Sequence, residues 1–330
     1  MVVAPSPEDL AKAGRLIDQV TEVFQSRVIG QQRLRWGLLI AMVAGGHVLV
    51  ESVPGLAKTT AAKTLAGAFD ASFSRVQCTA DLMPSDIVGT QIYNYQEGAF
   101  HTEIGPINAN FVLIDEVNRA NAKTQSALQE AMEERQITIA GQTWPLPEPF
   151  MVIATQNPIE HEGTYELPEA QVDRFMLKEV MDYPDLMQEV AIMERIETTD
   201  FRDTEAIRTQ YTAEHIKWLQ DLAKRVYVDR AIKDYIARLV WATRQPARFI
   251  APELARFVDF GASPRASIGF LTAGRALALL AGRSHMLPED VVYLAKPVLR
   301  HRLILTYEAV VQGVKPETII DAIFAATRTP

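Results

Sequence analysis

One loop constrains this chain more than any other feature. The apolar run from His47 to Glu51 leads through Ser52-Val-Pro-Gly-Leu-Ala-Lys58-Thr59-Thr60 into the helical stretch Ala61 to Phe69. A loop that leaves a strand and enters a helix aims several backbone N–H groups and the positive helix end at one point, which suits a polyphosphate. Lys58 is placed to offer a point charge to β- and γ-phosphates, and the Thr59 hydroxyl can ligate Mg²⁺. The loop departs from the G-x-x-x-x-G-K-[ST] pattern at Ser52 and Ala57, whereas Pro54 and Gly55 keep its turn. The candidate phosphate-binding residues are therefore Pro54, Gly55, Leu56, Ala57, Lys58, Thr59 and Thr60.

A second segment gives the loop its meaning. Phe111-Val-Leu-Ile114 ends in Asp115-Glu116, a carboxylate pair at the carboxyl end of a buried strand, where open α/β sheets bind their ligands. Asp115 is expected to hold Mg²⁺ through water and Glu116 to polarise an attacking water, with ATP and Mg²⁺ as the cofactors. A third run, Met151 to Ala154, leads into Thr-Gln-Asn157-Pro158. Asn157 can orient that water or touch the γ-phosphate; an Asx turn before proline is the alternative.

Five short runs, Val48–Val50, Phe73–Val76, Phe111–Ile114, Met151–Ala154 and Phe175–Leu177, are separated by lengths that suit helical crossovers. This predicts an α/β domain with a parallel sheet covered on both faces. Two stretches with turn chemistry, Gln91 to His101 and Gln136 to Pro147, read as hairpins projecting from it. After about Tyr183 the strand pattern stops, and Glu197 to Arg208 reads as a polar connector. Helices are expected over Ala213–Val226, Arg230–Gln245, Ser263–Ala281, Pro288–Leu299 and Pro316–Ala326, with Pro264 and Pro288 in first turns.

The bulk composition narrows the function classes. The net charge is −8, with 41 acidic and 33 basic residues, which disfavours nucleic acid and anionic membrane as partners of the whole surface. The single cysteine, Cys78, excludes an intrachain disulfide framework, fits a reducing compartment and reads as a small buried side chain. Met1 to Glu8 lacks the features of a signal peptide. The longest uncharged apolar stretch, Trp36 to Val50, is interrupted by Gly45, Gly46 and His47, too short for a membrane span. A cytoplasmic protein is expected. The six histidines are scattered, and His161-Glu162 has no partner at helical metal-ligand spacing.

The ordered set of motifs resembles the AAA+ ATPases, and more closely their MoxR family. The resemblance runs from Val28-Ile29-Gly30-Gln31, through Asp115-Glu-Val-Asn-Arg-Ala120, Ala154-Thr-Gln-Asn-Pro158 and Glu162-Gly-Thr-Tyr165, to Gly261-Ala-Ser-Pro-Arg265-Ala266. It implies an AAA+ αβα core over 1–185, a connector over 186–212 and an all-α lid over 213–330, with Val28, Ile29 and Gly30 packing on adenine. By the same resemblance Asn157 corresponds to sensor 1, Arg174 to the arginine finger and Arg265 to sensor 2. Ser52 departs from the family's glycine; Ala57 is usual in it. The finger implies catalysis in trans within a homo-oligomeric ring, typically a hexamer. Such fingers contribute roughly 10³ to 10⁵ in rate.

MoxR-like ATPases are linked to partners carrying von Willebrand factor A domains and act in complex assembly or metal insertion. The hairpins are similar to the inserts that line the ring's pore in this clade. A DNA-dependent motor is the alternative, but Gln91–His101 and Gln136–Trp144 contain no Lys or Arg with which to track phosphates. A non-hydrolysing scaffold would need a lost base or finger, and Glu116, Asn157 and Arg174 are all present. Gly98-Ala-Phe100 resembles the sigma-factor loop of enhancer-binding activators, with His101 and Thr102 breaking the match. Magnesium chelatase motor subunits are the nearest enzymatic cousins. Arg119 fits either a subunit interface or a helix-start salt bridge.

Overall fold

A computed structural model describes residues 3–158, 164–198 and 209–330. Eleven strands are assigned among them: β1 (Val48–Glu51), β2 (Phe73–Gln77), β3 (Gly89–Asn94), β4 (Ala99–Ile104), β5 (Phe111–Asp115), β6 (Gln136–Ile139), β7 (Gln142–Pro145), β8 (Met151–Gln156), β9 (Leu177–Val180), β10 (Val258–Phe260) and β11 (Ile304–Leu305). The main sheet has the order β2-β5-β8-β1-β9. Its β2–β5, β5–β8 and β1–β8 pairs are parallel. All five residues of β5 are buried, as expected for a strand covered on both faces and therefore written as a continuous apolar run. Phe73, Phe111 and Met151 lie in register across the three strands, so their carboxyl ends finish together.

The chain forms two compact units that are not continuous in sequence. One comprises Leu16–Leu167 and Glu179–Trp218; the other gathers Met1–Arg15, Pro168–Lys178 and Leu219–Pro330. The domain boundaries read from the sequence at 185 and 213 run along the chain, whereas this division follows spatial contact. A helix over Leu186–Thr198 lies inside the stretch assigned to the connector. Residues 199–208 of the connector, and His161, Glu162 and Gly163 of the motifs above, lie outside the described residues.

In the sheet unit, buried polar groups lock the layers. His47, 5% exposed, accepts from Val152 N–H at Nδ1 over 2.9 Å and lies 3.2 Å from the Met132 carbonyl at Nε2. The first bond requires a bare Nδ1 and leaves Nε2 as the donor. Burial, with the Arg135 cation beside it, pushes the His47 pKa down to about 3, so the ring is neutral. Arg135 donates to the Phe150 carbonyl and, over 2.7 Å, to that of Gly45.

Both expected hairpins are present, β3–β4 and β6–β7, each antiparallel. The first begins at Gly89, whose φ of 109° favours glycine and where an added Cβ would lie 2.2 Å from the Glu103 carbonyl oxygen.

The other unit is built mainly of helices, including Arg230–Arg244, Pro264–Leu280 and Pro316–Ala326. The antiparallel pair β10–β11 adds to them. Ser263 caps the Pro264–Leu280 helix by accepting from Arg265 N–H at 3.1 Å. The single helix expected over Pro288–Leu299 is instead two, Pro288–Tyr293 and Ala295–Leu299. Pro297 has no N–H to give the Tyr293 carbonyl, and its ring crowds that turn. The last expected strand is also displaced. It begins at Leu177 rather than Phe175, because the carbonyls of Asp173, Phe175 and Met176 are taken by Arg302 and are unavailable to a strand ladder.

Candidate functional site

At the carboxyl edge of β1, β5 and β8 lies a cavity of about 370 Å³. It is lined by Pro54 to Thr60, Arg75, Gln77, Asp115, Glu116 and Asn157. The loop and the carboxylate pair, far apart in sequence, thus share one wall-to-wall space. Lys58 opens the helix Lys58–Gly67, so the loop delivers its lysine and hydroxyls on the first turn, where the backbone N–H groups have no intrahelical partner. Gly55 has φ 86° and Ala57 has φ 57°. An added Cβ at Gly55 would meet nothing within 4 Å, so its backbone faces open space, as a phosphate cradle requires.

The two departures from the glycine pattern differ physically. Ala57 occupies a left-handed conformation that glycine would adopt without cost, so alanine is held there under strain. Ser52 is not among the described residues with positive φ. It is 2% exposed, its N–H bonds the Gln156 carbonyl at 3.1 Å, and it continues the ladder of β1 without needing glycine's freedom.

Asp115 and Glu116 are organised by a residue the sequence did not single out. The Thr155 hydroxyl, fully buried, donates to Asp115 Oδ1 at 2.6 Å and accepts from Glu116 N–H at 2.9 Å. That second bond holds Glu116 at φ 55°, a left-handed conformation uncommon for glutamate. The Glu116 carboxylate meets Arg119 Nη1 at 3.4 Å, so the salt-bridge alternative for Arg119 is realised within the chain. Arg75, also unread from the sequence, donates to Asp115 Oδ2 at 2.7 Å and to Gln77 at 3.0 Å. Thr155 could have been found from its place between Ala154 and Asn157 opposite β5. Nothing local marks Arg75, whose role depends on β2 pairing β5.

Beside this pair, Cys78 is buried; burial and the Asp115 and Glu116 carboxylates push its thiol up to about 12. It therefore stays protonated and is no nucleophile, in keeping with the structural reading.

The donor set fits Mg²⁺ and a polyphosphate. A threonine hydroxyl and a carboxylate are hard oxygen ligands, and Asp115 already carries a cation in the form of the Arg75 guanidinium. Among the described residues no cluster of three His, Cys, Asp or Glu could hold a metal. An Mg²⁺ held here would need its remaining ligands from phosphate and water, the usual arrangement for this ion.

Other expected residues lie elsewhere. Val28, Ile29 and Gly30 belong to the same compact unit but do not line this cavity. Val28 is buried at 2% exposure, and Gly30 has φ 68° with the Gln188 side chain packed against it. Arg174 and Arg265 are in the other unit.

Residues 47–177 match the family model described as "ATPase family associated with various cellular activities (AAA)", and residues 253–323 match the AAA lid domain. A relative named Chaperone MoxR1, from Mycobacterium tuberculosis, is 44% identical over 98% of this chain and 85% of its own. The chain belongs to the MoxR family of AAA+ ATPases. A Protein MoxR from Paracoccus denitrificans is 32% identical over 92% of this chain and 93% of its own. A solved structure from Cytophaga hutchinsonii, described as a candidate ATPase, superposes with a TM-score of 0.91 at 41% identity, covering 98% and 97% of the two chains. The MoxR assignment agrees with the resemblance drawn from the ordered motifs, and the parallel five-stranded core followed by a lid is the expected architecture. Among the described residues no helix is long and apolar enough to cross a membrane.

Proposed function

We propose that this MoxR-family protein hydrolyses ATP with Mg²⁺ as a ring and uses the cycle to remodel partner proteins in the cytoplasm. The observation that carries this reading is the convergence of Lys58, Thr59, Asp115, Glu116 and Asn157 on one cavity. The loop amides and Lys58 bind the β- and γ-phosphates. Thr59 and Asp115 hold the metal, which supplies charge neutralisation on those phosphates when bound. Glu116, fixed by Thr155, polarises the attacking water, and Asn157, 4% exposed, orients it. Arg174 acts on the ATP of the neighbouring subunit, and Arg265 contacts nucleotide from the lid. Val28, Ile29 and Gly30 flank the adenine.

The relative named as a chaperone supports a protein client, as does the tip of the β3–β4 hairpin. Ile92, Tyr93, Tyr95 and Phe100 are all exposed there, and the Tyr93 ring lies 5.1 Å from both Tyr95 and Phe100. An aromatic tip without lysine or arginine suits an apolar polypeptide in a ring's pore better than a phosphate backbone. A protein carrying a von Willebrand factor A domain is the partner class the family suggests, with metal-cofactor assembly as one outcome of the remodelling.

The test is Glu116→Gln. It deletes the base and leaves the metal and phosphate contacts, so ATP is expected to bind within a few-fold of the parent while turnover falls by about 10² or more. Unchanged turnover in a phosphate-release assay refutes the assignment. The trapped ATP-bound chain, used as an affinity bait, then retains the client.

A further inference from the structure

Arg302 has a side chain only 2% exposed, and every N–H of its guanidinium is spent. Nε donates to Asp173 Oδ1 at 2.8 Å; Nη1 donates to the carbonyls of Val298 at 2.6 Å and Met176 at 3.2 Å; Nη2 donates to those of Asp173 at 3.0 Å and Phe175 at 2.7 Å. Five donors thus meet five acceptors, and four of those acceptors belong to Asp173, Phe175 and Met176. These residues flank Arg174 on both sides. His301 adds a contact of its ring Nε2 to the Phe175 carbonyl at 2.9 Å. Burial and the cations of Arg302, Lys178 and Arg300 hold that imidazole neutral, consistent with a single N–H donated to the carbonyl.

The same carboxylate reaches a second element. Asp173 Oδ2 accepts from the Ser263 hydroxyl at 2.8 Å and lies 3.9 Å from Arg265 Nη1. Ser263 caps the helix on whose first turn Arg265 stands. One acidic side chain therefore links Arg302, the start of the Arg265 helix and the peptide that carries Arg174. A buried cation is costly to desolvate and is weak evidence for stability; this one is aimed at an irregular turn, where a regular strand or helix would need no such clamp.

We infer that Arg302, through Asp173, is a positioning residue for Arg174, fixing the peptide that presents this arginine and tying it to the helix that carries Arg265. The inference rests on the proposal that Arg174 serves the ATP of a neighbouring subunit. Arg302 then acts in trans although it touches no nucleotide. Its loss displaces the guanidinium of Arg174 and leaves the subunit's own phosphate site intact.

Mixing full-length chains tests this directly. Arg302→Gln, Asp173→Asn, Arg302→Lys and, as reference, Arg174→Ala are each measured alone and mixed with Glu116→Gln, whose Arg174 is intact but whose own site is silent. Alone, Arg302→Gln is expected to lose about 10²-fold in kcat, the scale of a small misplacement of a reacting group. Affinity for a fluorescent ATP analogue should stay within about threefold, because the cavity residues are unchanged. In the mixture, Glu116→Gln subunits supply a good finger to Arg302→Gln sites, and activity is expected to rise at least about tenfold above the sum of the two alone, as in the Arg174→Ala mixture. Arg302→Lys, which keeps a cation but not the fork, is expected to fall between.

Recovery by the Arg174→Ala mixture but not by the Arg302→Gln mixture overturns the inference, because Arg302 then acts within its own subunit. Silence of the Arg174→Ala mixture as well overturns the trans reading of Arg174 itself. If circular dichroism shows that Arg302→Gln does not fold, the near-isosteric Asp173→Asn carries the same comparison with the same two outcomes.

Discussion

Replacing Thr155 by valine probes the arrangement of the Asp115–Glu116 pair without substituting any residue that lines the cavity. The substitution keeps the volume and removes one hydroxyl that makes two bonds, to Asp115 Oδ1 at 2.6 Å and from Glu116 N–H at 2.9 Å. A hydrogen bond to a carboxylate contributes about 1.5–3 kcal/mol, and a buried N–H left without its partner costs about 1–3 kcal/mol. The added methyl returns at most about 1 kcal/mol. Because Asp115 keeps Arg75, the net expected loss is about 2–4 kcal/mol. With a urea slope near the top of the usual range, about 3 kcal/mol per molar, the unfolding midpoint of the sheet unit should fall by about 1 M. Glu116 should also relax from its left-handed backbone, which the Thr155 bond maintains at a cost of about 1–2 kcal/mol. Turnover is then expected to drop about 10²-fold with nucleotide affinity within a few-fold. Urea titration followed by circular dichroism, together with phosphate release and equilibrium nucleotide binding, reads all three. Thr155→Ser keeps the hydroxyl and should retain activity. A Thr155→Val protein with the parent's midpoint and turnover refutes the reasoning, since it means that the hydroxyl bridge holds nothing.

Other outcomes follow from the same geometry. Ala57→Gly should raise the thermal midpoint or leave it level, with a gain of up to about 1 kcal/mol, because glycine adopts φ 57° freely; Ala57→Val should destabilise, and the reverse order in a melting series would contradict the strain. For His47, the folded pKa of about 3 lies below its ordinary 6.5, so the unfolded chain takes up the proton first as pH falls. Stability is complete above about pH 6.5 and is lost from there down towards pH 3, by about 2 kcal/mol at pH 5; His301 acts in the same direction. Urea midpoints flat between pH 7 and 5 would refute this, and His47→Gln should shallow the slope. If, as proposed, Arg174 serves the site of a neighbouring subunit, specific ATPase activity should rise with protein concentration; activity constant down to nanomolar protein would argue against trans catalysis.

The phosphate loop, the carboxylate pair and Asn157 were legible because each is a local pattern with a local physical cause. A lysine and hydroxyls on the first turn after a strand, and acids at the end of a continuous apolar run, need no knowledge of neighbouring strands. The two hairpins and most helices were legible for the same reason, since turn residues and helix starts carry their own chemistry: Pro264 and Pro288 sit in first turns as expected. Pro297 was equally visible, and its effect in splitting the expected helix is local too.

What tertiary structure decided is which distant residues meet. Arg75 reaches Asp115 only because β2 pairs β5, and Thr155 bridges Asp115 and Glu116 only because β8 lies beside β5. Ser52 is acceptable at a position written for glycine because its backbone continues a strand, whereas Ala57 stands in a left-handed turn, a distinction invisible in residue type. Arg174 was singled out by the family resemblance, yet its peptide is shaped by Arg302, more than a hundred residues later in the chain. That guanidinium takes the carbonyls a strand would have used and delays β9 to Leu177. Propensity acts over a few residues, while a buried cation must satisfy its donors wherever the fold brings acceptors to it, and that requirement is written in no single segment of the sequence.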